Sequence, residues 1–420
     1  MTIETPMLCV QLEDSRSHVR IRALKALGKL ELATLAQHAG AVLGMLEDDE
    51  DRVRARVLVT LGKLDPVTLA QHAGAVLARL EDDDARVRER ALETLGKLDP
   101  ATLAQYAADV IARLEDDDEF VRRSALETLG KLDPATLAQH AGAVLGMLED
   151  DIGCVRATVL VTLGKLDPVT LAQHAGAVLA RLEDDEDRVR ERVLQTLGKL
   201  EPATLAQYSA EVIARREDDH LYVRMAALQT LGKLEPATLA KYANALVARL
   251  EDSDSQVRLD AVETLGIFEP AALARHAGAV LAMLEDDDDD VRYFASDTLG
   301  KLEPATLAQY AADVLARLED PDDKVRKTAY FIIRTLPCYV LRGVTLRVVN
   351  LEVLSRGLDR GTYEYLRSHL LGRIAWYRCR ICLRVRSLSL YWYALPYHPS
   401  GPGHARDVEA WGHVIEELRT

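Results

Sequence analysis

Residues 100–133 read PATLAQYAADVIARLEDDDEFVRRSALETLGKLD, and the fold follows from how this stretch is built. Asp99 precedes Pro100, a helix-start signal: the carboxylate accepts from unpaired backbone N–H groups, and proline at the first helical position loses no hydrogen bond. Leu103, Tyr106, Val110, Ile111 and Leu114 recur at steps of three and four, the mark of an amphipathic helix. The acidic run 115–119 breaks the pattern and puts negative charge at the start of the next helix, where the helix dipole favours it. Val121, Ala125, Leu126, Leu129 and Leu132 form the apolar face of that second helix, and Gly130 suits a close contact or a chain reversal. The stretch is a helical hairpin with a single apolar face, too little to fold alone.

Outward from it, the pattern repeats. A Val-Arg pair returns ten times at intervals of 34 residues, from Val19-Arg20 through Val121-Arg122 to Val325-Arg326. Glycine keeps the same step from Gly28 to Gly300. A period held without insertion means that every unit meets its neighbours in the same way, so the chain builds a stacked array. The first helices (A) are nearly identical, with LAQHAGAVL beginning at Leu35, Leu69, Leu137 and Leu171. Repeats two to four are echoed by five to seven, which points to duplication of a three-repeat block. An aspartate stands five residues before each valine: Asp14, Asp48, Asp82, Asp116, Asp150, Asp184, Asp218, Asp252, Asp286 and Asp320.

These units resemble the HEAT-repeat family, and their spelling is most similar to the short lyase-type form found in phycobilisome proteins, with L-x-D ending helix A and V-R-x-x-A beginning helix B. The resemblance covers residues 7–336. It implies an all-α, right-handed α-solenoid of ten HEAT-like hairpins, a ladder of turn Asp with B-helix Arg, and B helices lining the inner, concave surface. Tetratricopeptide and ankyrin signatures of similar period are absent.

Charge is unevenly divided. The chain carries −15, but residues 1–336 hold −20 and residues 337–420, which lack lysine, hold +5. An acidic array disfavours duplex nucleic acid and favours basic partners. Five scattered cysteines are no disulfide framework, so a reducing compartment is expected. Residues 1–10 do not read as a signal peptide, and no run of about 18 apolar residues occurs. The expectation is a cytoplasmic protein, with the nucleus as alternative.

Repeats differ mainly in the turn and on one face of helix B. Two residues after the valine stand Ala55, Glu89, Arg123, Ala157, Glu191, Met225 and Leu259. One residue before it stand Arg52, Arg86, Phe120, Cys154, Arg188 and Tyr222. Gln37, Gln71, Gln105, Gln139 and Gln173 on helix A hardly change, although they too should be exposed. Drift predicts variation on both outer faces, and a recognition surface predicts it on one. The candidate binding residues are Arg56 and Arg90 among the charged ones, and Phe120, Leu221, Tyr222, Met225, Leu259, Tyr293 and Phe294 among the apolar ones. For Tyr293, Phe294 and Phe331 a C-terminal segment folding back is the competing account.

Catalysis finds little support. His38, His72, His140, His174 and His276 alternate with Tyr106, Tyr208, Tyr242 and Tyr310, which fits packing better than metal binding. Residues 286–290 lack a calcium-loop glycine. None of the eleven histidines precedes Glu, as the di-iron HEAT hydroxylases require, and no nucleophile elbow, Walker or Rossmann fingerprint occurs. No cofactor and no catalytic residue is expected. The reading is a non-enzymatic, monomeric scaffold for a protein or peptide. The alternatives are a lyase-like, chromophore-handling protein and a tail that contacts RNA or a membrane surface, since Arg373, Arg378, Arg380, Arg384 and Arg386 interleave with Trp376, Tyr377, Tyr391, Trp392 and Tyr393. Residues 337–420 read as a partly helical cap or a disordered tail. Cys379, Cys382, His398 and His404 have zinc-ligand spacing, but three prolines crowd the second half and no metal site is assigned.

Overall fold

The computed structural model describes residues 5–310 and a few positions between 313 and 332. Every regular element among them is helical. The expected boundary at 336/337, the zinc-spaced residues, the Arg-aromatic tail and Phe331 lie outside the described residues, as does most of the tenth repeat. The chain divides into two compact units, residues 1–280 and 281–420. No helix among the described residues is long and apolar enough to cross a membrane.

In the first unit the helix Thr5–Leu12 is followed by B helices of eleven residues each, from Ser17–Leu27 and Asp51–Leu61 through Glu119–Leu129 to Leu221–Leu231 and Ser255–Leu265. Consecutive B helices of this unit pack on one another. The buried positions recur with the period: Val53, Val57, Leu58 and Leu61 in one repeat, Val121, Ala125, Leu126 and Leu129 two repeats on, all at most 1% exposed. Burying one such valine or leucine contributes roughly 1.5–3 kcal/mol, so the stack is held by a core that no hairpin could complete alone.

Helix A is less regular than its sequence pattern. Pro100–Ala104 and Ala107–Ala112 are separate helices that meet at Tyr106 (φ −109°, ψ 8°). The core side chains are Leu103, Ala107, Val110 and Leu114, while Tyr106 and Ile111 are only half-buried, which corrects the expected face. Leu103, Ala107, Val110 and Leu114 are four, three and four residues apart, and the equivalent Leu171, Ala175 and Val178 are buried in the unbroken helix Pro168–Leu179, so helical phase and not the break leaves Tyr106 at the edge of the core. The His/Tyr position therefore packs at the interface between repeats: Tyr242 Oη lies 2.7 Å from Ser209 Oγ of the preceding repeat.

Helix starts obey local chemistry. Asp99 accepts from Thr102 N at 3.0 Å and from the Thr102 hydroxyl at 2.6 Å; Asp65, Asp133 and Asp167 do the same with their own threonines. Glu201, Glu235 and Glu269 make no such cap, and the α-helices after them are only four residues long. One added methylene carries the carboxylate past the N–H groups it would satisfy.

Three side-chain ladders cross from repeat to repeat. In the first, Arg54 donates through Nε and Nη2 to the Asp82 carboxylate of the next repeat at 2.8 and 2.7 Å. Its Nη1 donates backward to Asp48 O and Asp49 O, in the turn of its own repeat. Arg88–Asp116, Arg122–Asp150, Arg156–Asp184, Arg190–Asp218 and Arg224–Asp252 follow the same plan. Burial pushes the Asp82 carboxyl up, but the Arg54 hydrogen bonds and the Asp84 N–H outweigh it and hold the group below the usual carboxylate range. In the second ladder, buried Thr60, Thr94, Thr128, Thr162, Thr196, Thr230 and Thr264 donate to a leucine carbonyl of the preceding B helix, as Thr128 Oγ1 does to Leu92 O at 3.1 Å. In the third, Lys63, Lys199 and Lys233 donate to Gly28 O, Gly164 O and Gly198 O. That ladder bears on the glycine. Gly164 has φ −68°, open to any residue, but a Cβ there would stand 2.7 Å from Lys199 Nζ. At Gly164 a side chain would displace the lysine from its bond, whereas at Gly62 and Gly130 a Cβ would meet only ordinary contacts.

Candidate partner-binding face

With core and ladder positions assigned, what remains of each B helix is one stripe. Relative to the valine, positions −1, +2, +3 and +6 share a helix face by steps of three and four; most are at least partly open, whereas +3 is buried at Ser124, Ala226 and Asp260 and +2 at Ala157. In the repeat of Val53 they are Arg52, Ala55, Arg56 and Val59; in that of Val223 they are Tyr222, Met225, Ala226 and Gln229. The repeats differ at these positions, and also at the helix start just before them, as at Asp51, Ala85, Glu119, Gly153 and Leu221. Gln37, Gln71, Gln105, Gln139 and Gln173 are exposed on helix A and hardly change, with Lys241 and Arg275 the exceptions at that position, so exposure alone does not produce the variation.

Phe120 and Tyr222 are exposed at 47% and 54%. Arg56, Arg90, Leu221, Met225 and Leu259 are half-buried, because neighbouring B helices cover the stems of residues at the flanks of the stripe. Leu221, Tyr222 and Met225 share one helix, and Leu259 lies on the next. Phe120 is three B helices away, with the Arg123 guanidinium 5.2 Å from its ring centroid, a cation–π contact. The apolar candidates thus do not form one cluster. In the second unit Tyr293 is exposed and meets half-buried Phe294 edge to face, with ring centroids 5.4 Å apart.

Polar neighbours tune the stripe. Arg90 pairs with Glu93 at 2.5 Å, while burial raises the Glu89 carboxyl. Arg192, Gln195 and Glu191 form a chain of hydrogen bonds. His220 Nε2 lies 2.9 Å from Asp187, and its ring packs 5.5 Å from that of Tyr222. Asp260 stands at position +3, where four other repeats carry arginine. It is 4% exposed and accepts from Gln229 Nε2 at 3.1 Å, and burial pushes its carboxyl up to about 6. Arg22, Lys25 and Asp260 were not singled out from sequence. Comparing positions +3 and +6 across the period, as was done for −1 and +2, would have found them. Among the described residues no group of three His, Cys, Asp or Glu side chains converges as a metal site.

A family model described as HEAT repeats matches residues 73–152, 175–266 and 243–334. The lyase-type likeness rests on repeat spelling alone. No curated protein sequence matches the chain. Among solved structures, an engineered protein superposes with a TM-score of 0.50 at 14% identity over 80% of this chain and 99% of that one. Importin beta, crystallised in an ammonium sulfate condition, gives 0.60 at 14% identity, over 88% of this chain and 55% of that one. Kap121p bound to Nup53p gives 0.53 at 13% identity, over 90% and 44%. The chain spans about half the length of the last two.

Proposed function

The chain belongs to the HEAT-repeat family, and from that premise we propose that it is a non-enzymatic scaffold that grips a protein or peptide along the exposed face of its B helices. One observation carries the reading: the Arg and Asp that ladder the repeats together are constant, while the differences within helix B gather on one of its faces. A stack of this kind presents many moderately different contacts in a row, which suits an elongated partner better than a small substrate. One of the structurally similar proteins, Kap121p, was crystallised with a protein bound to it. Tyr222 and Met225, with Leu259 beside them, supply the apolar anchor; aromatic and flexible sulfur side chains dominate such contacts.

Affinity capture with matched variants tests the reading. Tyr222→Ala with Met225→Ala should release captured partners while far-UV helicity stays unchanged. Gln105→Ala with Gln139→Ala, on the A helices, should retain them. Equal retention or equal loss by the two variants would remove the B face from consideration.

A further inference from the structure

The stripe is electrically polarised against the rest of the chain. In the first two repeats its side chains are His18, Ile21, Arg22, Lys25, Arg52, Ala55, Arg56 and Val59, four of them cationic and none acidic. Arg86 at the start of the third repeat extends the run, beyond which Glu89 and Glu93 share the face with Arg90 and end it. Arg22, Lys25, Arg52 and Arg86 are exposed and Arg56 is half-buried. Among the described residues none of these five makes an ion pair, although the chain carries 67 acidic side chains. The conserved turn acids Asp48 and Asp82 are engaged by Arg20 and Arg54 of the ladder. Further along, Arg90, Arg123 and Arg192 are each tied to a Glu or Gln on their own helix, and the eighth repeat carries Asp260 and Glu263. Net charge alone favours a basic partner; charge position on the stripe favours the opposite at its N-terminal end.

We infer that the B-helix face of repeats one to three is a docking site for an acidic peptide segment, held by Arg22, Lys25, Arg52, Arg56 and Arg86. The inference rests on the B face being the binding face and specifies the chemistry of the occupant there. Arg52 and Arg56 are four residues apart on one helix, so their guanidiniums rise side by side. Packed helices lie about 8–10 Å apart, close to the span of three extended residues, so a peptide crossing the stack offers a carboxylate to each helix in turn. Arginine accepts carboxylate through two parallel hydrogen bonds, and the surrounding acidic turns repel polyanions that extend beyond the stripe. A short peptide fits between them; a long nucleic acid does not.

Fluorescence anisotropy of the full chain tests this with three labelled probes of equal length: oligoglutamate, oligolysine and single-stranded oligothymidylate. Oligoglutamate should bind best, and its affinity should fall with added salt. Arg52→Glu with Arg56→Glu should weaken it about tenfold or more, while Lys97→Glu with Lys241→Glu, an equal change in net charge at exposed positions off the B-helix face, should change it less than about twofold. Circular dichroism confirms that both variants are folded. Stronger binding of oligolysine or of oligothymidylate, or equal loss in the two variants, would overturn the acidic-peptide site. Those outcomes leave the partner-capture result with Tyr222 and Met225 untouched, so the two readings fail separately.

Discussion

Removing one carboxylate from the Arg–Asp ladder should damage this protein far more than removing an exposed one. Asp82 is 4% exposed and receives Arg54 Nε and Nη2 at 2.8 and 2.7 Å and the Asp84 N–H at 3.1 Å. Asp82→Ala leaves a guanidinium 15% exposed with no carboxylate and frees a turn N–H. Breaking a buried pair from one side costs about 3–5 kcal/mol. Arg54 keeps its bonds to Asp48 O and Asp49 O, so the lower end, about 3 kcal/mol, is expected. Glu149→Ala, whose partner Arg181 meets a 74% exposed carboxylate, should cost at most about 0.5 kcal/mol. Arg54→Met combined with Asp82→Ala leaves no orphaned charge and should be about 2 kcal/mol milder than the sum of the single changes. Urea unfolding followed at 222 nm gives the energies, and hydrogen exchange in helices 51–61 and 85–95 localises them, since a repeat array can open in segments. If Asp82→Ala costs no more than Glu149→Ala, or the double variant equals the sum, the ladder does not hold the stack. The pH dependence follows with its sign. Asp82, Asp116, Asp184 and Asp218 are all held below the ordinary value against the upward push of burial, chiefly by their arginine hydrogen bonds. Their contribution is complete above about pH 4, the unfolded value, and is lost as pH falls through the depressed native values. Asp82→Ala should therefore flatten the acid limb of the stability profile.

Three further changes probe other parts of the molecule. Thr128→Val keeps the volume but removes the hydroxyl bond to Leu92 O; because that carbonyl retains Gly96 N–H, the loss should be about 1 kcal/mol by urea titration, and a value near zero would make the threonine row mere packing. Gly164→Ala should destabilise by about 1 kcal/mol in the native chain through loss of the Lys199 bond, yet be neutral or stabilising in a Lys199→Ala background. An equal penalty in both backgrounds would show that the glycine serves something else. Asp260→Asn keeps the Gln229 hydrogen bond and removes a charge whose native pKa is pushed to about 6. A raised carboxyl pKa means that native stability declines as pH rises from about 4 to 6, by about 3 kcal/mol for a two-unit shift. The variant should thus be more stable at pH 7.5 and nearly unchanged at pH 4, and calorimetry at both values would expose the absence of that difference.

The sequence by itself determined the period, the two-helix unit, the valine and leucine core of helix B and the aspartate that starts helix A. Each is a local property multiplied by repetition, and an unbroken 34-residue step forces every junction to be alike. Even the division between constant and variable helix-B residues was legible, because repeats within one chain serve as comparisons for each other. The Arg–Asp ladder was already implied by the resemblance, but only tertiary structure shows that Arg54, while reaching Asp82, 28 residues onward, also binds the carbonyls of its own turn. Thr128 looks like a core residue in sequence and proves to be a donor to Leu92 O. Tyr106 fits the helical period, but packing buries the row through Ala107 and leaves Tyr106 at the edge of the core. The same holds for charge: a total of −15 points to basic partners, whereas stacking gathers Arg22, Arg52, Arg56 and Arg86 at one end of a face that carries its acids further along. Composition counts charges, but only the packed backbone places them, and electrostatic recognition depends on place.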